Sequence, residues 1–90
     1  MITTNDFTRV NNDVNGNPRY VIHFLHLLTE NESNDRNGIN FIQRRYDIAL
    51  QRAKKIGGKK FHNKQFGGGI VFQSYNLHET IKDIENATNI

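Results

Sequence analysis

The sequence contains no cysteine, and this absence excludes several kinds of stabilisation and chemistry at once. Disulfide bonds, thiolate catalysis and cysteine-based zinc sites are all ruled out. A chain of 90 residues fits one domain with one core, and buries roughly two-thirds of the surface that its unfolded form exposes. We therefore predict a single domain over residues 1–90 that is stabilised by packing alone.

Long apolar runs are missing as well. The longest apolar stretch, Tyr20 to Leu28, is interrupted by two histidines, and the N-terminus has no basic segment followed by an apolar one. We therefore expect neither a membrane span nor a signal peptide, and we predict a cytoplasmic protein.

Motifs that carry catalysis or hold a metal or cofactor are also lacking. The residues from Ser33 onward begin like a calcium-binding loop, but Arg44 occupies the twelfth position, where glutamate is required. The glycine fingerprints of nucleotide sites are not found, and the second serine, Ser74, has no base nearby. His23 and His26 lie three apart in a predicted strand, so they point to opposite faces and cannot share a metal. We predict a non-enzymatic protein without cofactor or metal.

The predicted elements follow the order ββαββα, which indicates an α+β fold. We expect a four-stranded, mainly antiparallel sheet with two packed helices. The strands at Phe7–Val10 and Arg19–Phe24 flank the turn dipeptide Asn15–Gly16, so a hairpin with Val10 opposite Val21 is predicted. The second strand is apolar on both faces, which places it at the centre of the sheet.

The predicted helices follow a polar connection. Residues 30–38 contain no apolar side chain and are predicted as an exposed polar loop. The first helix begins with Asn40 and Gln43 as a capping box and ends before Gly57–Gly58. Its expected packing face consists of Ile42, Tyr46, Ala49, Leu50, Ala53 and Ile56. Further strands are predicted at 59–62 and 70–75, and the last helix should pack through Leu77, Ile81, Ile84 and Thr88.

The net charge of +3 conceals a strongly basic segment. Between Phe41 and Gln65, eight cations stand against Asp47 alone, which gives +7 there and leaves −4 for the rest of the chain. The eight are Arg44, Arg45, Arg52, Lys54, Lys55, Lys59, Lys60 and Lys64. Two interpretations stay open: a surface that attracts polyanions or acidic proteins, or solvated charges that keep a small protein in solution.

Two constellations within this segment are candidates for contact. Ile48 lies opposite the apolar face of the first helix, between Arg44 and Arg52, which gives an apolar centre with a charged rim. The alternative is that the N-terminal segment or the 30–38 loop covers Ile48. Phe61 lies among lysines, as in surfaces that stack bases and follow phosphates. The alternative here is that Phe61 points into the core.

A resemblance adds a biological setting. The segments Gly16–Phe24 and Phe66–Asn76, with Ala49, Ala53 and the pair Gly57–Gly58 between them, resemble small uncharacterised accessory proteins encoded by bacterial phages, prophages and plasmids. The resemblance implies the cytoplasm of a bacterial host cell and roles in the control of nucleic-acid machinery, including inhibition of CRISPR or restriction systems. Inhibitors that mimic DNA are acidic, so the basic segment argues against that mechanism.

The favoured prediction is a phage-type protein that binds nucleic acid or a ribonucleoprotein through its basic helix and hairpin. The alternative is an inhibitor that binds a host-defence nuclease complex, anchored on Ile48 and Phe41. The predicted contact residues are Arg44, Arg45, Ile48, Arg52, Lys55, Lys59, Lys60, Phe61 and Lys64.

Overall fold

The computed structural model describes residues 2–61 and 68–88. Its elements are a 3-10 turn (Thr4–Asp6), β1 (Thr8–Val10), β2 (Arg19–His23), a second 3-10 turn (Phe24–Leu27), α1 (Glu30–Ser33), α2 (Phe41–Lys55), β3 (Lys59–Phe61), β4 (Gly69–Gln73) and α3 (Leu77–Thr88). The four strands form one antiparallel sheet in the order β1-β2-β4-β3. The predicted α+β class is confirmed, and α1 adds one helical turn to the two helices expected.

The two faces of the sheet differ in what packs on them. Side chains alternate along a strand, and Ile22, Ile70 and Phe72 point into the main core cluster. The helices contribute Tyr46, Ala49, Ala53, Ile81 and Ile84 to that cluster. Val21 and Val71, which point the other way, are buried outside it. We call the side of the sheet that carries Val21 and Val71 the outer face.

The central position predicted for β2 is confirmed. It pairs with β1 on one side and with β4 on the other. Val21 and Ile22, on opposite faces, are each only 1% exposed. The double-sided apolar pattern therefore identified the strand correctly.

The predicted hairpin register is wrong by two residues. Val10 pairs with Arg19, and Val21 pairs with Thr8. The cause is Asp13, whose side chain accepts the backbone N–H groups of Asn15 and Asn17 at 2.8 and 2.9 Å. This local bonding favours a wider loop than a two-residue turn.

The apolar face predicted for α2 is partly wrong. Tyr46, Ala49 and Ala53 are buried as expected, but the other buried residues of the helix are Arg45 and Arg52. Ile42 is 61% exposed in the first turn. The predicted capping box is also absent, since Asn40 makes no side-chain cap and Gln43 donates to Asp47 instead.

The connection between α2 and β3 runs close to the core. A Cβ at Gly58 would lie 2.7 Å from the Cβ of Ala53 and 2.7 Å from the Phe72 ring. Gly57 has a φ of +89°, a conformation that favours glycine. The glycine pair therefore ends the helix as predicted, and Gly58 also lets the chain pass directly over Phe72.

The last helix packs as predicted. Ile81 and Ile84 are buried, and Leu77 packs partly buried against the core cluster. Asn76 precedes the helix, and its side-chain oxygen accepts the N–H of His78 at 3.1 Å. The predicted apolar stripe is thus confirmed at Leu77, Ile81 and Ile84.

We predict that Ile84→Ala and Ile42→Ala will differ strongly in stability. Ile84 is fully buried, so its truncation leaves a cavity and should lower the free energy of unfolding by about 2–5 kcal/mol. Ile42 is largely exposed, and its truncation should cost under about 1 kcal/mol. Urea denaturation measures both; equal losses would contradict the helix orientation described here.

Candidate functional site

Arg52, a predicted phosphate contact, is part of the folded framework. Its side chain is buried, with 9% of the residue exposed. One Nη donates to the Leu27 carbonyl at 2.9 Å and to Glu32 Oε1 at 2.5 Å, and the other donates to Glu32 Oε2 at 2.7 Å. This two-pronged contact is the strongest form of arginine–carboxylate pair. These bonds give Arg52 a structural role within the protein, and its contact with a partner stays a prediction.

Glu32 serves Arg52 and the start of α1 at the same time. Its carboxylate also accepts the N–H of Thr29 at 2.8 Å, while the Thr29 hydroxyl accepts the N–H of Glu32. Arg52 and the Thr29 bonds favour the ionised form, and the Arg52 guanidinium is the main cause that lowers the pKa of Glu32 to about 2. The carboxylate is therefore charged throughout the physiological range.

Arg44 and Arg45 also bond to the 30–38 segment. Arg44 donates to Asp35 Oδ2 at 2.9 Å and to the Asn37 carbonyl at 2.8 Å. The backbone N–H of Asn37 and the Arg44 guanidinium together lower the pKa of Asp35. Arg45 is 7% exposed, donates to the Asp35 carbonyl at 2.9 Å and lies over the Phe41 ring. These two arginines hold residues 35–37 against α2, and their contact with a partner stays a prediction.

The predicted 30–38 loop is thus more structured than its composition suggested. It begins with the helical turn α1, and Glu32 and Asp35 are only partly exposed. The remaining residues of the segment are mostly exposed. Its polar side chains therefore serve as internal partners for the arginines of α2.

The structure places Ile48 at the edge of the core. It is half-buried and packs against the core cluster. The large apolar side chains that are exposed near the start of α2 are instead Ile39, at 95%, and Ile42. Sequence periodicity could not show this, because Ile42 lies on the packing side of the helix but beyond the part that the core covers.

In the described part of the basic segment, four lysines are exposed: Lys54, Lys55, Lys59 and Lys60. Lys59 and Lys60 are neighbours in β3, so they point to opposite faces of the sheet. Lys60 lies on the helix side, with its Nζ 5.9 Å from the centre of the Tyr46 ring. Phe61, on the side of Lys59, is half-buried at the end of β3. Lys64 lies outside the described residues.

Lys59 borders a cleft on the outer face that the sequence did not reveal. The cleft has a volume of about 150 Å³ and is lined by Asp13, Arg19, Gly57, Lys59, Val71 and Gln73. The register explains the grouping, since Lys59 pairs with Val71 and Arg19 pairs with Gln73. We call Lys54, Lys55, Lys59 and Arg19 the basic corner. Arg19 was missed because only the pairing of β2 with β4 brings it near Lys59.

Two ionisable groups, one in the cleft and one at the end of β2, have displaced pKa values. Hydrogen bonds from Asn17, backbone first and then side chain, lower the pKa of Asp13. His23, also on the outer face, has its pKa lowered by burial and then by nearby His26. Asp13 therefore stays ionised at neutral pH, whereas His23 is neutral and adds no positive charge.

Other kinds of site were sought within residues 2–61 and 68–88. No group of three or more histidine, aspartate or glutamate side chains there could hold a metal ion. None of the helices described is long and apolar enough to span a bilayer.

Comparison with known proteins identifies a family. A family model described as Staphylococcus phage terminal repeat-encoded protein TreK matches residues 1–89. The chain belongs to this family. The resemblance to phage-encoded accessory proteins is thereby confirmed. No curated protein and no solved structure matches the chain.

We predict that Arg52→Ala will destabilise the fold, which a surface contact residue would not do. Glu32 and the Leu27 carbonyl would lose their partner, at a cost of about 3 kcal/mol, the low end for a broken buried pair because Glu32 stays partly exposed. Lys55→Ala, an exposed cation three residues on, should change stability by under about 0.5 kcal/mol. Chemical denaturation measures both. An Arg52→Ala variant with unchanged stability would show that the pair does not stabilise the fold.

We predict that acid will weaken the fold between about pH 4.5 and pH 2. The pKa of Glu32 falls from 4.5 to about 2 on folding, so the unfolded chain takes up the proton first as the pH drops. The stabilisation is complete above pH 4.5 and disappears towards pH 2. Thermal unfolding of the wild type and of Glu32→Gln across this range tests it. The variant should be less stable at pH 7 and should lose less on acidification; parallel curves would contradict this.

Proposed function

We propose that this phage protein is non-enzymatic and binds nucleic acid, free or in a ribonucleoprotein, through the basic corner. The observation that supports the proposal is the distribution of exposed charge. From Ile48 to His78 the sequence has no carboxylate, and Lys54, Lys55 and Lys59 in that stretch are exposed and form no ion pair with the described residues. Unpaired cations close together in the sequence, without carboxylates between them, attract polyanions.

The proposal differs from one based on the first helix as a whole. Arg44 and Arg52 already have carboxylate partners within the protein. A phosphate that took their bonded donors would have to displace Asp35 or Glu32. The lysines at the end of α2 need no such exchange, and as residues of its last turn Lys54 and Lys55 also complement the helix dipole. We place the site of action in the cytoplasm of the infected bacterial cell.

We predict salt-dependent binding of labelled single-stranded DNA or RNA, measured by fluorescence anisotropy. With three to four phosphate contacts, the affinity should fall roughly 20- to 50-fold when salt rises about fourfold. Lys55→Gln/Lys59→Gln should weaken binding and lower the slope of log affinity against log salt by roughly 1.4–1.8. Arg36→Gln/Lys82→Gln, which removes the same charge at exposed positions elsewhere, is the matched control.

The control variant shows whether binding depends on the basic corner or only on the net charge of the protein. The proposal requires the control variant to keep its affinity within about twofold. A salt-insensitive complex, or equal losses in the two double variants, would reject binding through the basic corner.

A second candidate function is inhibition of a host-defence nuclease complex by protein–protein contact. The observation in its favour is the pair of exposed isoleucines at the start of α2, Ile39 and Ile42. Large apolar side chains inside a polar rim are typical anchors of protein interfaces. Phe41, the anchor expected from the sequence, is instead half-buried and lies under the Arg45 guanidinium.

Affinity capture from a Staphylococcus host lysate, with and without nuclease, separates the two candidates. Loss of the captured partners after nuclease supports nucleic-acid binding. Retention of a nuclease complex that Ile42→Asp abolishes and Lys59→Gln leaves intact supports the second function.

A further inference from the structure

The cleft on the outer face combines features that suit one small anion. Its base is Val71, which is buried, and its borders are polar. Arg19 and Lys59 approach from the two strands that flank β4, at positions two residues apart along it. From ordinary strand spacings their Cα atoms are roughly 12 Å apart, so both long side chains can reach a common point above Val71. The volume of about 150 Å³ is well above the roughly 10–15 Å³ that accommodates one water molecule.

Arg19 is held in a position from which it can donate. Its Nε donates to the Asn11 carbonyl at 2.8 Å, and no described residue accepts a hydrogen bond from its two terminal nitrogens. A guanidinium anchored through Nε still presents paired donors, and this planar fork matches the oxygens of phosphate. Gln73, the register partner of Arg19, is exposed and adds a neutral amide donor.

Asp13 is the carboxylate of the cleft, and its oxygens are already occupied. Oδ1 accepts from the backbone N–H groups of Asn15 and Asn17, and Oδ2 accepts from the Asn17 side chain at 3.0 Å. Three donors therefore face its negative charge inside its own loop. Arg19 and Lys59 against Asp13 leave the cleft with a net charge of +1.

Gly57 leaves one side of the cleft without a side-chain wall. A Cβ at this position would have no neighbour within 4 Å, so the backbone here is open to close approach. A phosphate within a polymer chain needs such an opening, because the strand must enter and leave. A cleft closed on all sides would accept only a free ion.

We propose that this cleft binds one phosphate group of a nucleic-acid strand, with Arg19 and Lys59 as the cationic contacts and Gln73 as a neutral donor. The inference rests on the proposed function and specifies where one backbone phosphate sits. It also makes Lys59 different from Lys60, although the two are adjacent and carry the same charge.

The test compares Lys59→Gln with Lys60→Gln in binding single-stranded nucleic acid. Lys59→Gln should weaken binding at least about fivefold for every sequence and reduce the salt slope by about 1. Lys60→Gln removes the same charge one residue away, on the opposite face, and should change affinity less than about twofold. Arg19→Lys keeps the charge but loses the fork, so it should also weaken binding without altering net charge.

Titration with inorganic phosphate provides an independent arm. The titration is followed by two-dimensional NMR of the backbone amide groups. Phosphate should shift the amide signals of Gly57, Lys59, Val71 and Gln73 in the wild type, and should shift them much less in Lys59→Gln. A mononucleotide should shift the same amides, which separates recognition of the phosphate itself from recognition of the polymer.

The possible results distinguish failure of the cleft from failure of the proposed function. If nucleic acid binds and Lys59→Gln behaves like Lys60→Gln, the cleft is rejected, and the comparison of the two double variants decides whether the rest of the basic corner binds. If no nucleic acid binds, the proposed function is rejected. In that case amide shifts confined to the cleft still establish a phosphate site, and their absence overturns it.

Discussion

The contact between Arg52 and Glu32 is the interaction on which the arrangement of the helical layer depends. It joins the last part of α2 to α1, and the Leu27 carbonyl extends the same contact to the 3-10 turn after β2. The segment at 30–38 has no apolar side chain that could be buried to offset the entropy of ordering it. Charged hydrogen bonds to α2 supply that stabilisation, and Arg44 and Arg45 extend them to Asp35.

This use of arginine changes the meaning of the basic segment. The sequence shows eight cations between Phe41 and Gln65, and in an unfolded chain all of them are equivalent. In the folded protein they fall into two groups, because Glu32 and Asp35, which lie outside the segment, form hydrogen bonds with the arginines of α2. The lysines have no such partners among the described residues, and they carry the charge that remains available to another molecule.

The parts of the fold that were predictable are those set by local periodicity. The two-sided apolar pattern of β2, the stripe of α3 and the glycines after α2 each depend on a few neighbouring residues, and each was read correctly. The hairpin register depended on the side chain of Asp13 bonding to its own loop. The burial of Arg52 depended on a carboxylate 20 positions away. A helical projection contains neither piece of information.

The close packing of Gly58 against the core makes the backbone of the basic corner rigid. Its backbone rests directly on Ala53 and Phe72, so the end of α2 and the beginning of β3 cannot shift independently of the core. The backbone positions of Lys55 and Lys59 are consequently fixed by packing before any ligand binds. Binding of a partner at this surface therefore costs little free energy for ordering the main chain. Only the flexible lysine side chains still have to be immobilised.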